Sequence, residues 1–382
     1  MQSFNSKLQN IGDSIFSVMS QLANGQKALN FSQGFPEFNP PQQLIEFVNR
    51  AMVNGFNQYA PMPGYKKLLE SVAEKERIIH NNNLDADMEI TITPGATAAL
   101  FATIQALVNP HDEVIVLDPA YDSYDPAIRL AGGRPVHIPY DIQNLEFPWE
   151  ELELKISAKT KMIILTTPHN PLGLCFTRED FECLAKITEK YQTIILSDEV
   201  YEHMVFDGNK HVSVLGIESL KYRAVKISSF GKTLHTTGWK LGYLAANKIL
   251  TAEIRKIYQF LAFSTNSAMQ IGVAEFLDAN PNWELGLSDF YQSKRDYFFN
   301  KIQNPKIKGT PSSGSYFQML KIDHGFEMSD YKFAVELTKS RKIACIPLDV
   351  FIQDQPQTNW FRFCFAKNDD TLKQAADIIS NL

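Results

Sequence analysis

The stretch Ser228-Ser229-Phe230-Gly231-Lys232-Thr233, followed by Gly238-Trp239-Lys240, is the most informative part of this chain. It comes directly after Ala224-Val225-Lys226-Ile227, which has the length and composition of a buried strand. Lys232 therefore lies just beyond the carboxyl end of a predicted strand. Most lysines are solvated surface charges, but the small hydroxyl residues and the glycine beside this one suit a backbone folded closely against a bound group. A lysine amine that can lose its proton can form a Schiff base with a carbonyl group.

Gly231-Lys232-Thr233 also matches the end of a phosphate-binding P-loop, which is a competing interpretation. A P-loop requires a second glycine five positions before the glycine that precedes the lysine. Here that position holds Lys226, inside the predicted strand. The P-loop interpretation is excluded, and pyridoxal phosphate becomes the leading hypothesis for the carbonyl compound that Lys232 would bind.

Length and composition are those of an ordinary globular protein. The chain has 382 residues, which is long for one core, so two domains are expected. Its formal charge of −6 gives no electrostatic reason to expect a nucleic acid or an anionic membrane as a partner. The four cysteines form neither a Cys-x-x-Cys pair nor a zinc-ligand spacing, so we expect reduced thiols and no bound metal. The first seven residues lack the apolar core of a signal peptide, and no apolar run reaches the roughly eighteen residues of a membrane span. These features predict a soluble cytoplasmic protein.

Between about residues 89 and 280, short apolar runs of strand length alternate with longer helical patterns. The residues from Ala98 to Val108 are rich in helix formers, and Thr177-Arg178-Glu179-Asp180 is an acceptable helix start before an amphipathic stretch to Lys190. Strands that are apolar on both faces and separated by helices predict a mostly parallel sheet covered on both sides. The predicted strands are Glu89–Thr93, Glu113–Leu117, Lys161–Leu165, Thr193–Leu196 and Ala224–Ile227.

The alternation weakens beyond about residue 280. There Tyr316–Leu320, a helix near Asp330–Ser340 and Trp360–Phe365 predict a smaller α+β unit. The first forty-odd residues lack strand alternation and carry Gly34-Phe35-Pro36, so we place them with the smaller unit or across the cleft. We therefore expect a large domain over residues 45–280 and a small domain made of residues 1–44 and 281–382.

Chemically distinctive residues follow the predicted strands, where the ligands of open parallel sheets bind. After the first strand, Thr93–Thr97 is a small-residue turn that opens a helix; its free N–H groups suit a phosphate, although this composition is also a common helix cap. After the second, Tyr121 could stack on a planar ring or be a half-buried core tyrosine. After the third, Asn170 could donate an amide N–H to a ring oxygen or form an ordinary Asn-Pro turn. His169 beside it is expected to be a turn residue rather than a base.

Asp198 follows the fourth strand and abuts its apolar run, so its side chain is expected to be desolvated. A buried carboxylate is costly without a cationic partner, and a protonated pyridine nitrogen would be such a partner. The alternative is a helix-capping Asp on a solvated turn. Tyr201 could direct its hydroxyl at the same cofactor. After the fifth strand, Lys232 has Ser229 and Lys240 nearby, and Lys240 can neutralise a phosphate as a point charge. Together the five strand ends predict a pyridoxal phosphate site.

At these residues the chain resembles the fold-type-I pyridoxal phosphate enzymes of the class I/II aminotransferase group, from about Ile15 to Phe365. Within the group it is most similar to the branch of kynurenine aminotransferases (glutamine transaminase K) and bacterial methionine aminotransferases, because Gly238–Tyr243 carries a lysine where arginine is common elsewhere. The other motifs that carry the resemblance are Asn57-Gln58-Tyr59, Asn170-Pro171-Leu172-Gly173, Asp198-Glu199-Val200-Tyr201, Ser229-Phe230-Gly231-Lys232-Thr233 and Phe361-Arg362-Phe363.

The resemblance implies an α/β fold whose large domain has a mostly parallel seven-stranded sheet covered by helices, beside a smaller α+β domain. It also implies roles for individual residues. Lys232 is the Schiff-base lysine and the catalytic acid/base, Asp198 pairs with the pyridine nitrogen, and Arg362 forks onto the substrate carboxylate. Tyr59 would reach the phosphate of the neighbouring subunit, which makes the active unit a homodimer. The remaining implied contacts are Tyr121, Asn170 and Tyr201 to the ring, Gly95, Ala96, Thr97, Ser229 and Lys240 to the phosphate, and Asn170, Gly34 and Phe16 to the substrate.

The implied activity is transfer of the amino group of an apolar or aromatic L-amino acid (methionine, phenylalanine, tyrosine, kynurenine or glutamine) to a 2-oxo acid, with ping-pong kinetics. Poor activity on aspartate is expected, because no second arginine can be assigned to a distal carboxylate. The chain departs from the group's pattern at Thr166, where the kynurenine branch often has asparagine, and at Tyr121, where phenylalanine is more usual.

Two alternatives remain at this stage. A cysteine-conjugate β-lyase would use the same cofactor, since the same carbanion can expel a β-leaving group. A non-enzymatic, pyridoxal-phosphate-sensing regulator would carry an added DNA-binding domain, for which the chain has no room before Phe16, and the charge of −6 also disfavours it.

Overall fold

The computed structural model describes residues 6–8, 11–325, 328–354 and 356–382 of the chain. The prediction about a signal peptide concerns amino-terminal residues that lie mostly outside this part. Strands β1–β13 are Leu29–Asn30, Ile90–Thr93, Glu113–Asp118, Arg134–Pro139, Thr160–Thr166, Ile194–Asp198, Ala224–Ser229, Gly242–Ala246, Ile307–Lys308, Phe317–Ile322, Ile343–Ala344, Ile346–Pro347 and Trp360–Cys364. Helices α1–α14 are Ile15–Gln26, Gln42–Val53, Lys66–His80, Ala86–Glu89, Ala96–Leu107, Tyr124–Leu130, Trp149–Lys155, Arg178–Glu189, Phe230–Thr233, Lys248–Leu261, Ser267–Ala279, Leu287–Lys301, Asp330–Ser340 and Asp369–Ser380. Short 3-10 helices cover Val214–Gly216, Lys221–Arg223, Thr237–Trp239, Glu284–Gly286 and Leu348–Phe351.

A seven-stranded sheet forms the centre of the fold, in the order β2-β8-β7-β6-β5-β3-β4. Its neighbouring strands are parallel except around β8, which runs antiparallel to both β2 and β7. Strands β2, β3, β6, β7 and β8 are buried along their whole length, as expected for a sheet covered on both faces. The predicted α/β class and mostly parallel seven-stranded sheet are confirmed.

The boundaries differ from the predictions at a few places. Glu89 was expected to open a strand but is the last residue of α4, and α5 begins at Ala96, before the predicted Ala98. Helix α8 begins directly after Thr177, where the Thr177 and Asp180 side chains cap each other's backbone N–H groups in a capping box. This start and the helix Asp330–Ser340 agree with the sequence pattern.

The carboxyl-terminal unit contains a four-stranded sheet in the order β12-β13-β10-β9, with antiparallel pairing. The amino-terminal segment is hydrogen-bonded to this unit, because β1 pairs in parallel with β11. Helix α2 instead packs closely on α11 of the sheet-containing part; a Cβ at Gly272 would lie 2.3 Å from Cγ2 of Val48. This arrangement agrees with the placement of the first residues beside the smaller unit, while the division at residues 45 and 280 stays a prediction.

No helix in the described ranges combines the length and the apolar composition needed to cross a bilayer. All four cysteines lie within those ranges and are unpaired.

Candidate active site

A cavity of about 390 Å³ opens at the carboxyl ends of the parallel strands, between the large sheet and residues of the carboxyl-terminal unit. This is the edge at which ligands of open parallel sheets bind. Every predicted site residue except Tyr59 lines the cavity. Those residues are Phe16, Gly34, Gly95, Ala96, Thr97, Tyr121, Asn170, Asp198, Tyr201, Ser229, Lys232, Lys240 and Arg362.

The amino terminus of α5 lies at one end of the cavity and follows a tight turn. Gly95, directly before the helix, has a φ of +83°, a conformation that favours glycine. The Lys240 side chain lies against it, since a Cβ on Gly95 would be 3.4 Å from the Lys240 Nζ. Gly242 in β8 permits the close approach of strand and helix, because a Cβ there would be 2.9 Å from the backbone nitrogen of Ala96. Free N–H groups beside an ammonium group suit a phosphate.

Lys232 lies on the short helix α9, directly after β7. Its Nζ donates to the Tyr316 hydroxyl oxygen at 2.7 Å and to the Gly34 carbonyl oxygen at 3.1 Å. Burial lowers the pKa of Lys232 to about 8; Arg362 acts in the same direction and Asp198 opposes it. The amine is therefore more easily deprotonated than an ordinary lysine.

Asp198, the last residue of β6, is a buried carboxylate that forms no ion pair with any described residue. Tyr124 Oη donates to its Oδ2 at 2.7 Å, and the Val200 backbone N–H donates to its Oδ1 at 3.4 Å. Burial raises the pKa of Asp198 to about 6, against the opposing effect of the Tyr124 hydrogen bond. A cationic ligand group beside Asp198 would supply the missing counter-charge.

Arg362, in the middle of β13, is only 1% exposed. Its Nη1 donates to Asn170 Oδ1 at 2.9 Å and its Nη2 donates to the Ser32 carbonyl oxygen, but its Nε has no partner among the described residues. The guanidinium lies 4.1 Å from the Phe317 ring centroid and 5.0 Å from that of Phe16. Burial lowers the pKa of Arg362, and a carboxylate ligand would satisfy both the charge and the free N–H.

Three site residues were not predicted from the sequence. Tyr124 contacts Asp198, Tyr316 contacts Lys232, and Phe317 lies beside Arg362. A signal for Tyr124 existed, because it follows Tyr121 by three residues and can share a helical face with it. Tyr316 and Phe317 begin a predicted strand, and nothing local distinguishes them from core aromatic residues.

Two other predicted residues lie apart from the chemistry. Tyr59 is 82% exposed and outside the cavity, with its ring edge-on to Phe263 at 5.3 Å between centroids. His169 is buried, its Nδ1 accepts from the Leu172 N–H at 3.2 Å, and burial lowers its pKa to about 3. It therefore holds a turn, as expected.

A second group of buried charges lies behind the turn Asp198–Glu202, between α3 and the sheet. Glu202 accepts from Lys226 Nζ at 2.7 Å and from Lys75 Nζ at 2.9 Å, and Lys226 also donates to Glu76 at 2.6 Å. Glu76, His80 and Glu202 have the spacing of metal ligands, but the Lys226 ammonium already contacts both carboxylates and a divalent cation would be repelled by it. We call this group the buried ion network: Lys75, Glu76, His80, Glu199, Glu202 and Lys226.

The cavity residues fit pyridoxal phosphate. The turn at Gly95 with Lys240 offers an anion site, Asp198 offers an uncompensated carboxylate for a cationic ring nitrogen, and Lys232 offers an amine with a lowered pKa. None of the side chains of Lys240, Asp198 and Lys232 forms an ion pair with a described residue, so a ligand could supply the opposite charge.

Comparison with known proteins agrees with this geometry. The family model of class I and II aminotransferases matches residues 26–379. The chain is 42% identical to the methionine aminotransferase of Escherichia coli K12, over 99% of this chain and 98% of that protein. It is 32% identical to human kynurenine–oxoglutarate transaminase 3, over 98% of this chain and 89% of that protein.

Solved structures are similar over the whole chain. An Escherichia coli structure identified as a methionine aminotransferase superposes with a TM-score of 0.97 at 41% identity, covering 100% of both chains. The N-succinyldiaminopimelate aminotransferase of Mycobacterium tuberculosis superposes with a TM-score of 0.94 at 30% identity, covering 99% of this chain and 100% of that chain. The chain therefore belongs to the class I and II aminotransferase family.

Proposed function

We propose that this aminotransferase uses pyridoxal phosphate to move the amino group of an apolar or aromatic L-amino acid to a 2-oxo acid. The donors we expect are methionine, phenylalanine, tyrosine and kynurenine, with glutamine as a further candidate. Class I and II aminotransferases depend on pyridoxal phosphate. The observation that carries the proposal is that Lys232, Asp198 and Arg362 converge in one cavity, each without an ion-pair partner among the described residues.

When bound, pyridoxal phosphate supplies an aldehyde that condenses reversibly with amines and a ring that takes up negative charge from the substrate's α-carbon. The Gly95 turn, Ser229 and Lys240 would hold its phosphate. Asp198 would pair with the ring nitrogen. Tyr121 would stack on the ring, and Asn170 and Tyr201 would donate to the ring oxygen. Asn170 is suited to donate, because its Oδ1 already accepts from Arg362.

Lys232 would move the proton. With a pKa of about 8, an appreciable fraction of the amine is uncharged near neutral pH, so Nζ could accept a proton from the substrate's α-carbon and deliver it to the carbon that the cofactor's aldehyde supplies. Tyr316 and Gly34 accept hydrogen bonds from Nζ and hold it within the cavity. Because the first keto acid would leave before the second keto acid binds, with the amino group retained at the site, ping-pong kinetics are expected.

The substrate class follows from what surrounds Arg362. Its guanidinium would bind the α-carboxylate with a planar fork. The aromatic rings of Phe16 and Phe317 lie directly beside it and would contact an apolar side chain. Arg362 is the one arginine among the described cavity residues, so a second carboxylate on the substrate would lack an equivalent partner. Methionine and kynurenine appear in the names of the E. coli and human relatives, which supports the same class.

To test the substrate class, a panel of amino donors is added one at a time to the cofactor-loaded protein without a keto-acid acceptor. The rate of the change in cofactor absorbance then reports the first half-reaction for each donor. We expect methionine and phenylalanine to react at least about tenfold faster than aspartate, equivalent to about 1.4 kcal/mol in the barrier. Equal rates with aspartate and methionine would refute the proposed substrate class. Accumulation of pyruvate and a thiol from a cysteine conjugate, without transamination of methionine, would indicate a β-lyase instead.

We also propose that the active unit is a homodimer in which Tyr59 reaches the phosphate in the neighbouring subunit. Tyr59 is 82% exposed, and its neighbour Phe263 is 52% exposed, which supports an apolar contact surface at this place. Mixing Lys232→Ala chains with Tyr59→Ala chains should restore activity, because one site of each mixed dimer then has an intact lysine and an intact tyrosine. Full activity of a protein that sediments as a monomer would contradict the proposal.

A cytoplasmic location is proposed as well. The support is the state of the cysteines, since Cys175, Cys183, Cys345 and Cys364 are all unpaired. Unpaired thiols are typical of proteins in reducing compartments.

A further inference from the structure

The carboxylate of Asp198 has one close hydrogen-bond donor among the described residues, and that donor is the phenol of Tyr124. Tyr124 is the first residue of α6 and is 2% exposed, so its hydroxyl is shielded from water. Its Oη lies 2.7 Å from Asp198 Oδ2, whereas the Val200 N–H contact to Oδ1 is 3.4 Å long. Whatever state Asp198 adopts before a ligand arrives depends strongly on this one contact.

The Tyr124 hydroxyl has a second neighbour, Thr166, at 2.9 Å between Oη and Oγ1. Thr166 is the last residue of β5 and pairs with Asp198 across the sheet, so all three side chains are held by regular structure. A hydroxyl carries one hydrogen, and an ionised carboxylate only accepts. Tyr124 must therefore donate to Asp198, which leaves Thr166 to donate to Tyr124. The hydrogen bonds run in one direction, from Thr166 through Tyr124 to Asp198.

A chain of hydrogen bonds that ends on a carboxylate stabilises its charged form, and each bond polarises the next. We propose that Thr166 and Tyr124 form a hydroxyl relay, a pair of positioning residues that keeps Asp198 ionised and ready to receive the cationic ring of the cofactor. The inference rests on the proposed function, since it assumes that Asp198 meets a pyridine nitrogen.

The surroundings of Asp198 explain why such a relay is needed. Burial raises the pKa of Asp198 to about 6, and the Tyr124 hydrogen bond opposes that rise. Lys232 on α9 also favours the charged form, while Glu199 on the same turn disfavours it. Tyr121 and Tyr201, which face the same charge, have their own pKa values raised mainly by burial. Without the relay, Asp198 would be protonated over a wider range of pH and would offer no charge to a cation.

The decisive experiment measures the dissociation constant of pyridoxal phosphate from the full-length protein as a function of pH, by titrating the cofactor-free protein. For the wild type we expect affinity to fall as pH drops through the range in which Asp198 takes up a proton. In Tyr124→Phe the midpoint of this fall should move upward by about one pH unit, so that affinity is about two- to fivefold weaker between the two midpoints and about tenfold weaker well below both. Thr166→Val should shift the midpoint in the same direction by less, and Thr166→Ser, which keeps a hydroxyl, should restore it.

Tyr140→Phe is the matched control, because Tyr140 is a buried tyrosine that lies outside the cavity. It should keep the wild-type midpoint. The relay is overturned if folded Tyr124→Phe has the wild-type midpoint, or, should that variant not fold, if Thr166→Val has it. Failure of the wild-type protein to bind pyridoxal phosphate at any pH would instead refute the proposed function, so the two failures are distinguishable.

Discussion

Asp198 and Glu202 are two carboxylates on the same turn, both buried, and their surroundings are opposite. Glu202 belongs to the buried ion network and accepts from Lys75, Lys226 and His80 at 2.9, 2.7 and 2.7 Å. Asp198 faces the cavity, and its carboxylate accepts from a phenol and a backbone N–H but from no cation among the residues that the structure describes. Burial alone would raise both pKa values; the neighbouring lysines instead hold that of Glu202 well below its usual range, while that of Asp198 rises to about 6.

The difference separates a charge that stabilises the fold from one that we propose is kept for a ligand. Where the protein supplies its own counter-charges, a buried carboxylate joins elements together, and here Glu202 connects the turn to α3 and β7. Where it does not, the charge is a stability cost in the free protein that a ligand can remove. The same contrast holds between Lys226, which donates to the Glu76 and Glu202 carboxylates, and Lys232, which donates to two neutral oxygen atoms.

The largest expected effect comes from Lys232→Ala. Because the amine is proposed to carry both cofactor attachment and proton transfer, transamination should fall by at least about 10⁴-fold. Stability should change by less than about 1 kcal/mol, since no buried carboxylate loses its partner. The transamination rate and the unfolding free energy in urea, measured on the same preparation, test these two expectations. Lys256→Ala, at an exposed lysine, is the control and should leave both unchanged. Transamination at near wild-type rate by Lys232→Ala would refute the assigned role.

Glu202→Gln should show the opposite pattern. It leaves Lys226 and Lys75 buried without their shared carboxylate, which is expected to cost about 3–5 kcal/mol of unfolding free energy. Urea unfolding near pH 7 measures it. The control is Glu253→Gln, which breaks the exposed pair with Lys256 and should cost less than about 1 kcal/mol. A loss no greater than that of the control would mean that the network does not stabilise the fold.

The cavity residues could be predicted from the sequence, whereas the buried ion network could not. Asp198 and Lys232 each come within five residues after an apolar run, so their position at the sheet edge could be inferred from local pattern. Lys226, by contrast, lies inside an apolar run, and its partners come from α3 and from the turn after β6. Pairing between such distant elements depends on the tertiary fold. Tyr316, which reaches Lys232 from 84 positions along the chain, was missed for the same reason.

The fold shows the same limit. Strands β3, β5, β6 and β7 each contain a run of buried apolar residues and were predicted within two residues at each end. Strand β4 was not predicted, because at the sheet edge it carries Arg134, Pro135 and His137 and lacks an apolar run. Strand β8 was not predicted either, because Gly242, which lets the α5 terminus approach, and the two alanines at its end have low β-propensity.

Asp198→Asn has the smallest expected effect. The sign of the change in unfolding free energy distinguishes a carboxylate kept for a ligand from one that stabilises the fold. In the cofactor-free protein the Asp198 pKa is raised from 3.8 to about 6, so the folded state holds its proton while the unfolded chain has lost it. As pH rises through the interval between these two pKa values, this group lowers the unfolding free energy by about 3 kcal/mol in total, and the loss persists above pH 6. Asparagine cannot ionise and avoids the loss. The variant should therefore be more stable than the wild type at pH 7, by about 2–3 kcal/mol, with the difference shrinking toward pH 4.

The same substitution should weaken pyridoxal phosphate binding, because the ring nitrogen loses its counter-charge. A gain in stability of the free protein combined with a loss of cofactor affinity is the signature expected of a carboxylate kept for a ligand. Urea unfolding at several pH values and a cofactor titration measure the two effects. Asp377→Asn, at an exposed position of α14, should change neither by more than about 0.5 kcal/mol. If Asp198→Asn destabilises the free protein as Glu202→Gln does, the Asp198 carboxylate stabilises the fold. The proposed difference in role between Asp198 and Glu202 would then be wrong.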